Sequence, residues 1–202
     1  RQHERLGALP ARFSGVVLAN EVADAIPVHA VAWDAGRVQE RGVVRAGASF
    51  AWADRPAPAA LAAAAAALGV EPPAEGRYES EIGLAARAWM RALSATLERG
   101  AILVIDYGFT RREYYHPQRS MGTLMCHYRH RAHGDVFLWP GLQDITAHVD
   151  FSALAEAAYE AGLDILGYAP QASFLAGCGL AEALAAWDAS DVRAYAPRAA
   201  EA

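Results

Sequence analysis

Residues 16–28 read VVLANEVADAIPV, and this stretch decides the fold class. With Gly15 it begins as GVVLA, a short apolar run with β-branched residues, which is typical of a strand buried on both faces in a parallel sheet. The run ends at Asn20 and Glu21, and Asp24 follows. Ligands of open parallel sheets bind beyond the carboxyl ends of the strands. The stretch therefore predicts an interior strand whose end borders a functional site.

A second strand of the same kind lies further along the chain. Residues 101–105 read AILVI and stop at Asp106-Tyr107-Gly108. Before them, residues 79–99 carry apolar side chains at nearly helical spacing, with acids in the first turn and Arg99-Gly100 at the end, which predicts a helix. Strands that alternate with helices indicate an α/β fold with an open, Rossmann-like sheet. We expect the two strand ends to share one cleft.

The rest of the chain adds smaller elements. A turn signal at residues 34–36 between two strand-like runs predicts a hairpin. An alanine-rich run between Pro56 and Gly69 predicts a small surface helix or an inserted arm, and we expect residues 45–78 to be an insertion. Residues 109–150 are irregular, and loops of this length in compact domains are usually functional. The other predicted elements are strands at 28–33, 38–44 with a possible extension at 50–53, 123–128 and 163–169, and helices at 151–161, 171–175 and 180–187.

The composition excludes several classes of protein. The 202 residues are 54% hydrophobic and 20% charged, which fits one globular domain or part of a larger one and not a disordered chain. A net charge of −5 argues against a generally basic nucleic-acid binder. No apolar run approaches the ~20 residues of a membrane span. Two cysteines, Cys126 and Cys178, are too few for a disulfide framework, so we expect a reducing, cytoplasmic setting.

The acids that follow the two strands allow two interpretations each. Glu21 and Asp24 are either acids at a helix N-terminus, with Asn20 as its cap, or a pair of carboxylates that holds a cation. Asp106 is either a functional acid at the ligand edge or a turn residue. His148 has a pKa suited to proton transfer near neutral pH. Asp150 would share a face with His148 in an extended chain, or it caps the helix at 151–161, a role that Ser152 could also fill.

Two further clusters have other possible roles. The segment CHYRHRAH (126–133) contains one cysteine and three histidines, but it lacks the spacing of a known metal motif, and we predict no metal site. The segment 111–133 also mixes arginines with tyrosines. It could bind RNA by phosphate contacts and stacking, dock an acidic protein, or form a solvated loop in which arginine stacks on tyrosine.

Nine segments, in order along the chain, resemble the MidA family, which includes the mitochondrial complex I assembly factor that methylates protein arginine. They are RQHERL (1–6), ANEVADAIPV (19–28), QERGV (39–43), RYESE (77–81), GAILVIDYGF (100–109), GTL (122–124), HYRHR (127–131), GLQDITAHVDF (141–151) and PQASFL (170–175).

The resemblance implies a class I S-adenosyl-L-methionine-dependent methyltransferase. By this resemblance, S-adenosyl-L-methionine contacts Ala19, Asn20 and Glu21. The substrate is a protein arginine, for example on a respiratory complex I subunit, and it contacts Tyr107 and Gln143. The residues expected to be catalytic are Glu21, Asp24, Asp106, His148 and Asp150.

The sequence departs from the family pattern at both ends. The Gly-rich cofactor loop and the ribose-binding acid of the family would precede residue 1, and the family's closing strand is not evident after Glu201. We therefore expect the 202 residues to be the central and C-terminal part of one methyltransferase domain, inactive alone.

Two alternatives stay open. One is a non-catalytic assembly or binding module that docks a protein through residues 111–133, and the other is a metal-dependent hydrolase that uses the histidine-rich segment.

Overall fold

The computed structural model describes residues 11–34, 36–70 and 76–185. The chain divides into two compact units, residues 1–165 and 166–202. The strands are β1 (Phe13–Asn20), β2 (His29–Asp34), β3 (Arg37–Ala46), β4 (Ser49–Pro56), β5 (Tyr78–Ile82), β6 (Leu97–Ile105), β7 (Gly108–Phe109), β8 (Met125–Tyr128), β9 (Arg131–His133), β10 (Asp144–Thr146) and β11 (Val149–Asp150). The helices are α1 (Ala59–Ala67), α2 (Leu84–Thr96), α3 (Arg111–Tyr114), α4 (Phe151–Glu160), α5 (Gln171–Gly177) and α6 (Leu180–Ala185).

The two predicted apolar strands, β1 and β6, pair in parallel, as expected for an α/β fold. Helices α2 and α4 contact each other and pack on the face of β6 that carries Ile102 and Val104. The prediction that β1 is buried on both faces is wrong for the described part of the chain, where Val16 and Leu18 are 72% and 65% exposed. The reason is that β1 pairs there with β6 alone, and the other face of the pair has no helix packed on it.

A four-stranded antiparallel sheet in the order β4-β3-β2-β5 contains the predicted hairpin, which is confirmed. Helix α1 packs on one face of this sheet, so it is more than a surface arm. Its Leu61 and Ala65 join a buried cluster with Val31, Trp33, Tyr78 and Ile82. That 45–78 is an insertion stays a prediction.

The predicted helix at 79–99 begins later than expected. Residues 78–82 form strand β5, which pairs with β2, and the helix begins at Leu84 and ends at Thr96. Glu79 and Glu81 resembled the acids of a first helical turn. They are instead alternate residues of a strand, and they point away from the face on which Tyr78 and Ile82 meet α1.

Two other predictions need correction. Residues 109–150 contain short strands besides the one expected at 123–128, which is present as β8. Residues 163–169 are not a strand, because no described strand pairs with them, and Leu166 is 87% exposed. The helix at 151–161 is confirmed with Asp150 as its N-cap rather than Ser152.

The second unit contains the two short helices α5 and α6, both of which were predicted. Trp187, the expected end of the second one, lies outside the described residues, as do RQHERL (1–6) and Ala35 of the hairpin turn. Cys126 is buried, Cys178 is exposed, and both are free thiols. Within the described ranges, no helix is long and apolar enough to cross a membrane.

We expect Leu61→Ala to destabilise the first unit by about 2–5 kcal/mol, because this 1% exposed side chain fills the space between α1 and the antiparallel sheet. The measurement is the free energy of unfolding in denaturant. The matched control is Leu142→Ala, at a side chain that is 67% exposed. An equal loss in the two variants would contradict this account of the core.

Candidate active site

The ends of β1 and β6 meet as the sequence predicts. Asn20 is in register with Ile105, and the backbone N–H of Glu21 donates to the carbonyl of Ile105 at 2.9 Å. Glu21 has a φ of +49°, in the left-handed region that side chains other than glycine seldom adopt. Backbone strain of this kind concentrates at functional sites. Because Asn20 pairs with Ile105, the residues that follow them, Glu21 and Asp106, are neighbours at the carboxyl edge of the parallel pair.

Asp106 holds the turn that follows β1. One carboxylate oxygen, Oδ2, accepts hydrogen bonds from the backbone N–H groups of Ala23 at 2.8 Å and Asp24 at 3.2 Å. The other oxygen, Oδ1, accepts from the N–H of Tyr107 at 2.8 Å. Asp106 thus has the turn-stabilising role that was one of its two interpretations. Its catalytic role stays a prediction.

The acids at this edge have no cationic partner among the described residues. Asn20 and Glu21 are exposed, and Asp24 is half-buried. Burial raises the pKa of the Asp24 carboxyl, and the negative charges of Asp106 and Glu21 raise it further. The three carboxylates therefore create a negative potential that would attract a cation.

A second loop reaches the same edge through backbone hydrogen bonds. The N–H of Ala147 donates to the carbonyl of Asp24 at 3.0 Å, and the N–H of Val149 donates to the carbonyl of Tyr107 at 2.8 Å. The short parallel pair β7–β11 continues this contact. These bonds bring His148 to the acids of the first loop, and they leave the side chain of Tyr107 63% exposed.

His148 lies against Phe109, with ring centroids 5.1 Å apart, and the Arg119 guanidinium covers the same phenyl ring at 4.2 Å. Burial lowers the pKa of His148 below its ordinary value, so the imidazole is neutral near pH 7. Its Nδ1 is buried and has no hydrogen-bond partner among the described residues. A neutral imidazole with an unused nitrogen is suited to accept a proton.

An open cleft of about 360 Å³ adjoins this stack of side chains. Phe109 and Arg119 form part of its wall, and the remaining lining residues are Glu113, His116 and Gln118. Phe109 therefore contributes both to the wall of this cleft and to the ring contact with His148.

Asp150 and Gln143 are held by other contacts. Asp150 Oδ1 accepts from the N–H of Ala153 at 3.0 Å and so caps α4, while Oδ2 lies 3.7 Å from Nε of Arg111. Burial raises the pKa of Asp150. The Gln143 amide donates to the carbonyl of Val136 at 2.9 Å. The roles predicted for these two residues stay predictions, and the contacts give each a structural function.

The histidine-rich segment forms a hairpin of β8 and β9, and the arginines at 111 and 112 lie in helix α3. Strands β8 and β9 pair through Cys126 and His133, and Arg129 lies 5.3 Å above the Tyr128 ring, as expected for arginine stacked on tyrosine. Arg111 is paired with Glu156 through both terminal nitrogens. Throughout the described ranges, no group of three or more His, Cys, Asp or Glu side chains is arranged to hold a metal ion.

Glu81, a buried acid close to this region, is a residue that no pattern above singled out as a site residue. Its carboxylate accepts hydrogen bonds from the N–H and Oγ1 of Thr123, from the N–H of Leu124 and from the hydroxyl of Tyr114. Burial raises its pKa, and these hydrogen bonds lower it by a smaller amount. The strand-like alternation of RYESE could have placed Glu81 on the face opposite α1, but nothing local in the sequence points to Thr123, 42 residues away.

The parallel strands, the helices packed on them and the acids at the strand ends define the class as an α/β protein with a site at the carboxyl edge of its sheet. The chain belongs to the family described as "Putative S-adenosyl-L-methionine-dependent methyltransferase", which matches residues 3–169. No curated protein matches the sequence.

Two solved structures from Burkholderia thailandensis are similar to this chain. One is a COG1565 superfamily member bound to S-adenosyl-homocysteine, with 55% identity, a TM-score of 0.89 and coverage of 96% of this chain. The other is a native COG1565 superfamily protein, with 53% identity, a TM-score of 0.88 and the same coverage. The chain spans about half the length of each, 50% and 51%. They confirm the predicted methyltransferase fold, and the family confirms S-adenosyl-L-methionine as the cofactor.

The residues at the end of β1 fit this cofactor. Its methionine part carries an ammonium group and a carboxylate. The exposed Glu21 carboxylate and Asn20 amide oxygen can accept hydrogen bonds from the ammonium, and the Asn20 amide can donate to the carboxylate. Ala19 is buried beside them.

We expect Asp150→Ala to lower the stability by about 1 kcal/mol through loss of the α4 cap, while Asp150→Asn retains most of it, because asparagine also caps helices. Chemical denaturation measures both. The pair also tests the predicted catalytic role, since methyl transfer in the asparagine variant at wild-type rate would assign Asp150 to the cap alone.

The depressed pKa of His148 predicts a pH-dependent stability. The folded chain binds fewer protons than the unfolded chain between the folded pKa and 6.5, so the stabilisation is present above pH 6.5 and is lost as the pH falls through the folded pKa. In His148→Gln we expect a smaller loss of thermal stability on acidification below pH 6.5. The control is His127→Gln, at an exposed side chain. If the thermal stability of His148→Gln and of the wild type depended on pH in the same way, the lowered pKa of His148 would be contradicted.

Proposed function

We propose that the complete protein is an S-adenosyl-L-methionine-dependent protein arginine N-methyltransferase of the MidA type, whose substrate is a partner protein such as a respiratory complex I subunit. The observation that carries the proposal is the acidic edge formed by Glu21, Asp24 and Asp106 without a cationic partner among the described residues. The resemblance of the ordered sequence segments supports the choice of arginine.

The acids can orient a guanidinium group. An arginine side chain keeps its charge at any ordinary pH, and its planar fork matches a carboxylate through two parallel hydrogen bonds. Glu21 is exposed and can make such bonds directly, and Asp24 lies next to it. Asp106 has an indirect role, because it accepts hydrogen bonds from the N–H groups of residues 23 and 24 and so fixes the turn that carries Asp24.

When bound, S-adenosyl-L-methionine would supply the methyl group: an acceptor nitrogen would attack the methyl carbon in line with the carbon–sulfur bond, which breaks as S-adenosyl-homocysteine leaves. The main task of the protein is then to hold donor and acceptor atoms about 3–3.5 Å apart. Asn20 and Glu21 contact the methionine end, and Tyr107 and the cleft beside Phe109 contact the acceptor chain. In this proposal the acceptor lies between the acids and His148.

His148 accepts the proton that the methylated nitrogen releases. Its pKa is lowered by burial, so at neutral pH most of the imidazole is unprotonated and able to accept. The neighbouring Arg119 favours this neutral form, whereas Asp106 and Asp24 favour the protonated form. The acids on the other side of the edge therefore stabilise the imidazolium after the transfer.

Glu21→Gln should reduce methyl transfer by the complete protein on the order of 10²-fold, because a neutral amide grips the guanidinium less firmly and misplaces the acceptor nitrogen. The assay uses a labelled methyl donor with candidate partner proteins. The matched control is Glu160→Gln, at an exposed acid on α4 that lies 3.9 Å from Arg87. Unchanged transfer in Glu21→Gln would remove Glu21 from the proposed mechanism.

Calorimetry with S-adenosyl-homocysteine separates this function from its main alternative. The methyltransferase is supported if the complete protein binds S-adenosyl-homocysteine, and if Glu21→Gln weakens this binding while Glu160→Gln does not. Absence of binding would favour the non-catalytic module, in which the loop at 111–133 docks a protein partner.

A further inference from the structure

The buried Glu81 carboxylate and His148 are linked through a single side chain, Thr123. The Thr123 hydroxyl donates to Glu81 Oε2 at 2.9 Å, and the backbone N–H of His148 donates to the same hydroxyl oxygen at 3.1 Å. Glu81 is 3% exposed and Thr123 is 6% exposed. Strand β5 is thereby connected to the loop that carries His148.

The direction of these hydrogen bonds is fixed by the chemistry of the carboxylate. In its ionised form the Glu81 carboxylate only accepts, so the Thr123 hydroxyl then directs its hydrogen toward Glu81 and keeps its lone pairs for other donors. The His148 N–H is one such donor. The Tyr114 hydroxyl lies within hydrogen-bond distance of both oxygens, at 3.2 Å from Glu81 and 3.1 Å from Thr123.

The preceding residue, Gly122, allows the close approach that this linkage needs. It has a φ of +73°, and a Cβ added there would lie 2.1 Å from Oε1 of Glu81. A side chain at this position would displace the carboxylate. The backbone of residues 122–124 therefore wraps around Glu81, with the N–H groups of Thr123 and Leu124 directed at its oxygens.

We propose that Glu81 and Thr123 are positioning residues that fix the backbone at His148 and so hold its imidazole against Phe109 at the edge of the parallel strands. This inference rests on the proposed function for its catalytic meaning, but the geometry of His148 can be measured without any activity. Glu81 does not touch the reacting atoms in this scheme. It acts through Thr123.

The groups that face the imidazole come from several elements. They are Phe109 at the end of β7, Arg119 in the loop after α3, Asp24 in the turn after β1 and Asp106 after β6. A shift of His148 out of this surrounding would expose the ring to water and bring its titration closer to that of a free imidazole.

The test compares Thr123→Val, which removes the hydroxyl at nearly constant shape, with Thr123→Ser, which keeps it. We expect the His148 titration, followed by NMR, to move toward higher pH in the valine variant and to stay in place in the serine variant. In the transfer assay of the complete protein we expect kcat to fall on the order of 10²-fold in the valine variant, with KM nearly unchanged. Thr96→Val is the matched control, because among the described residues the Thr96 hydroxyl donates to the carbonyl of Leu93 at the end of α2.

The NMR result decides the proposal independently of the function. An unchanged His148 titration in a folded Thr123→Val protein would overturn it, even if the wild type transfers methyl groups. A shifted titration in a protein without transferase activity would support the linkage and refute the proposed function. If Thr123→Val does not fold, Glu81→Gln tests the same linkage, because it replaces one of the two carboxylate oxygens that accept from Thr123 with a donor, and an unchanged His148 titration in that variant would equally overturn the proposal.

Discussion

The buried carboxylate of Glu81 joins the antiparallel sheet to the segment that carries the candidate site. It lies on the face of β5 opposite α1, and the backbone of residues 122–124 wraps around it. An acid in this position is costly unless its oxygens are satisfied, and removing one partner of such a group costs about 1–3 kcal/mol. The donors from Thr123, Leu124 and Tyr114 satisfy it. The arrangement of residues 114–124 is therefore tied to the sheet, and the loop with His148 is tied to Thr123 in turn.

A second carboxylate, Asp106, has the same function at the ends of the parallel strands. Its two oxygens accept three backbone N–H groups, two from the turn after β1 and one from its own loop. The register of β1 and β6 brings the two loops together, and Asp106 locks them. The left-handed Glu21 follows from this constraint, because the chain must reverse directly after its hydrogen bond to Ile105. The edge is thus built by backbone hydrogen bonds, and the exposed side chains of Asn20 and Glu21 stay available for ligands.

The sequence predicted the parts of the structure that depend on local pattern and on general sheet geometry. The runs GVVLA and AILVI are strands, and their ends meet because parallel strands end at one edge. Strand β5 was missed because Glu79 and Glu81 occupy positions that also suit a first helical turn, and a period of two is hard to distinguish over five residues. The strand predicted at 163–169 fails because apolar residues form a strand only with a partner strand beside them. The contact of Glu81 with Thr123 joins residues 42 apart, and no local rule specifies it.

The hydrogen bonds divide the acids of this region into two groups. A carboxylate that already accepts several backbone N–H groups cannot turn toward a ligand without leaving those donors unpaired. Asp106 is in this position, and Asp150 is fixed by the α4 cap and by Arg111. Glu21 has no such bonds among the described residues, whereas the Asp24 carboxyl is partly buried, is repelled by Asp106 and Glu21, and receives hydrogen bonds from the backbone at Ala25 and at Asp24 itself. Proximity to the strand ends made all of these acids candidates, but only those with unused oxygens can bind a cation directly. The fixed acids determine where that binding takes place.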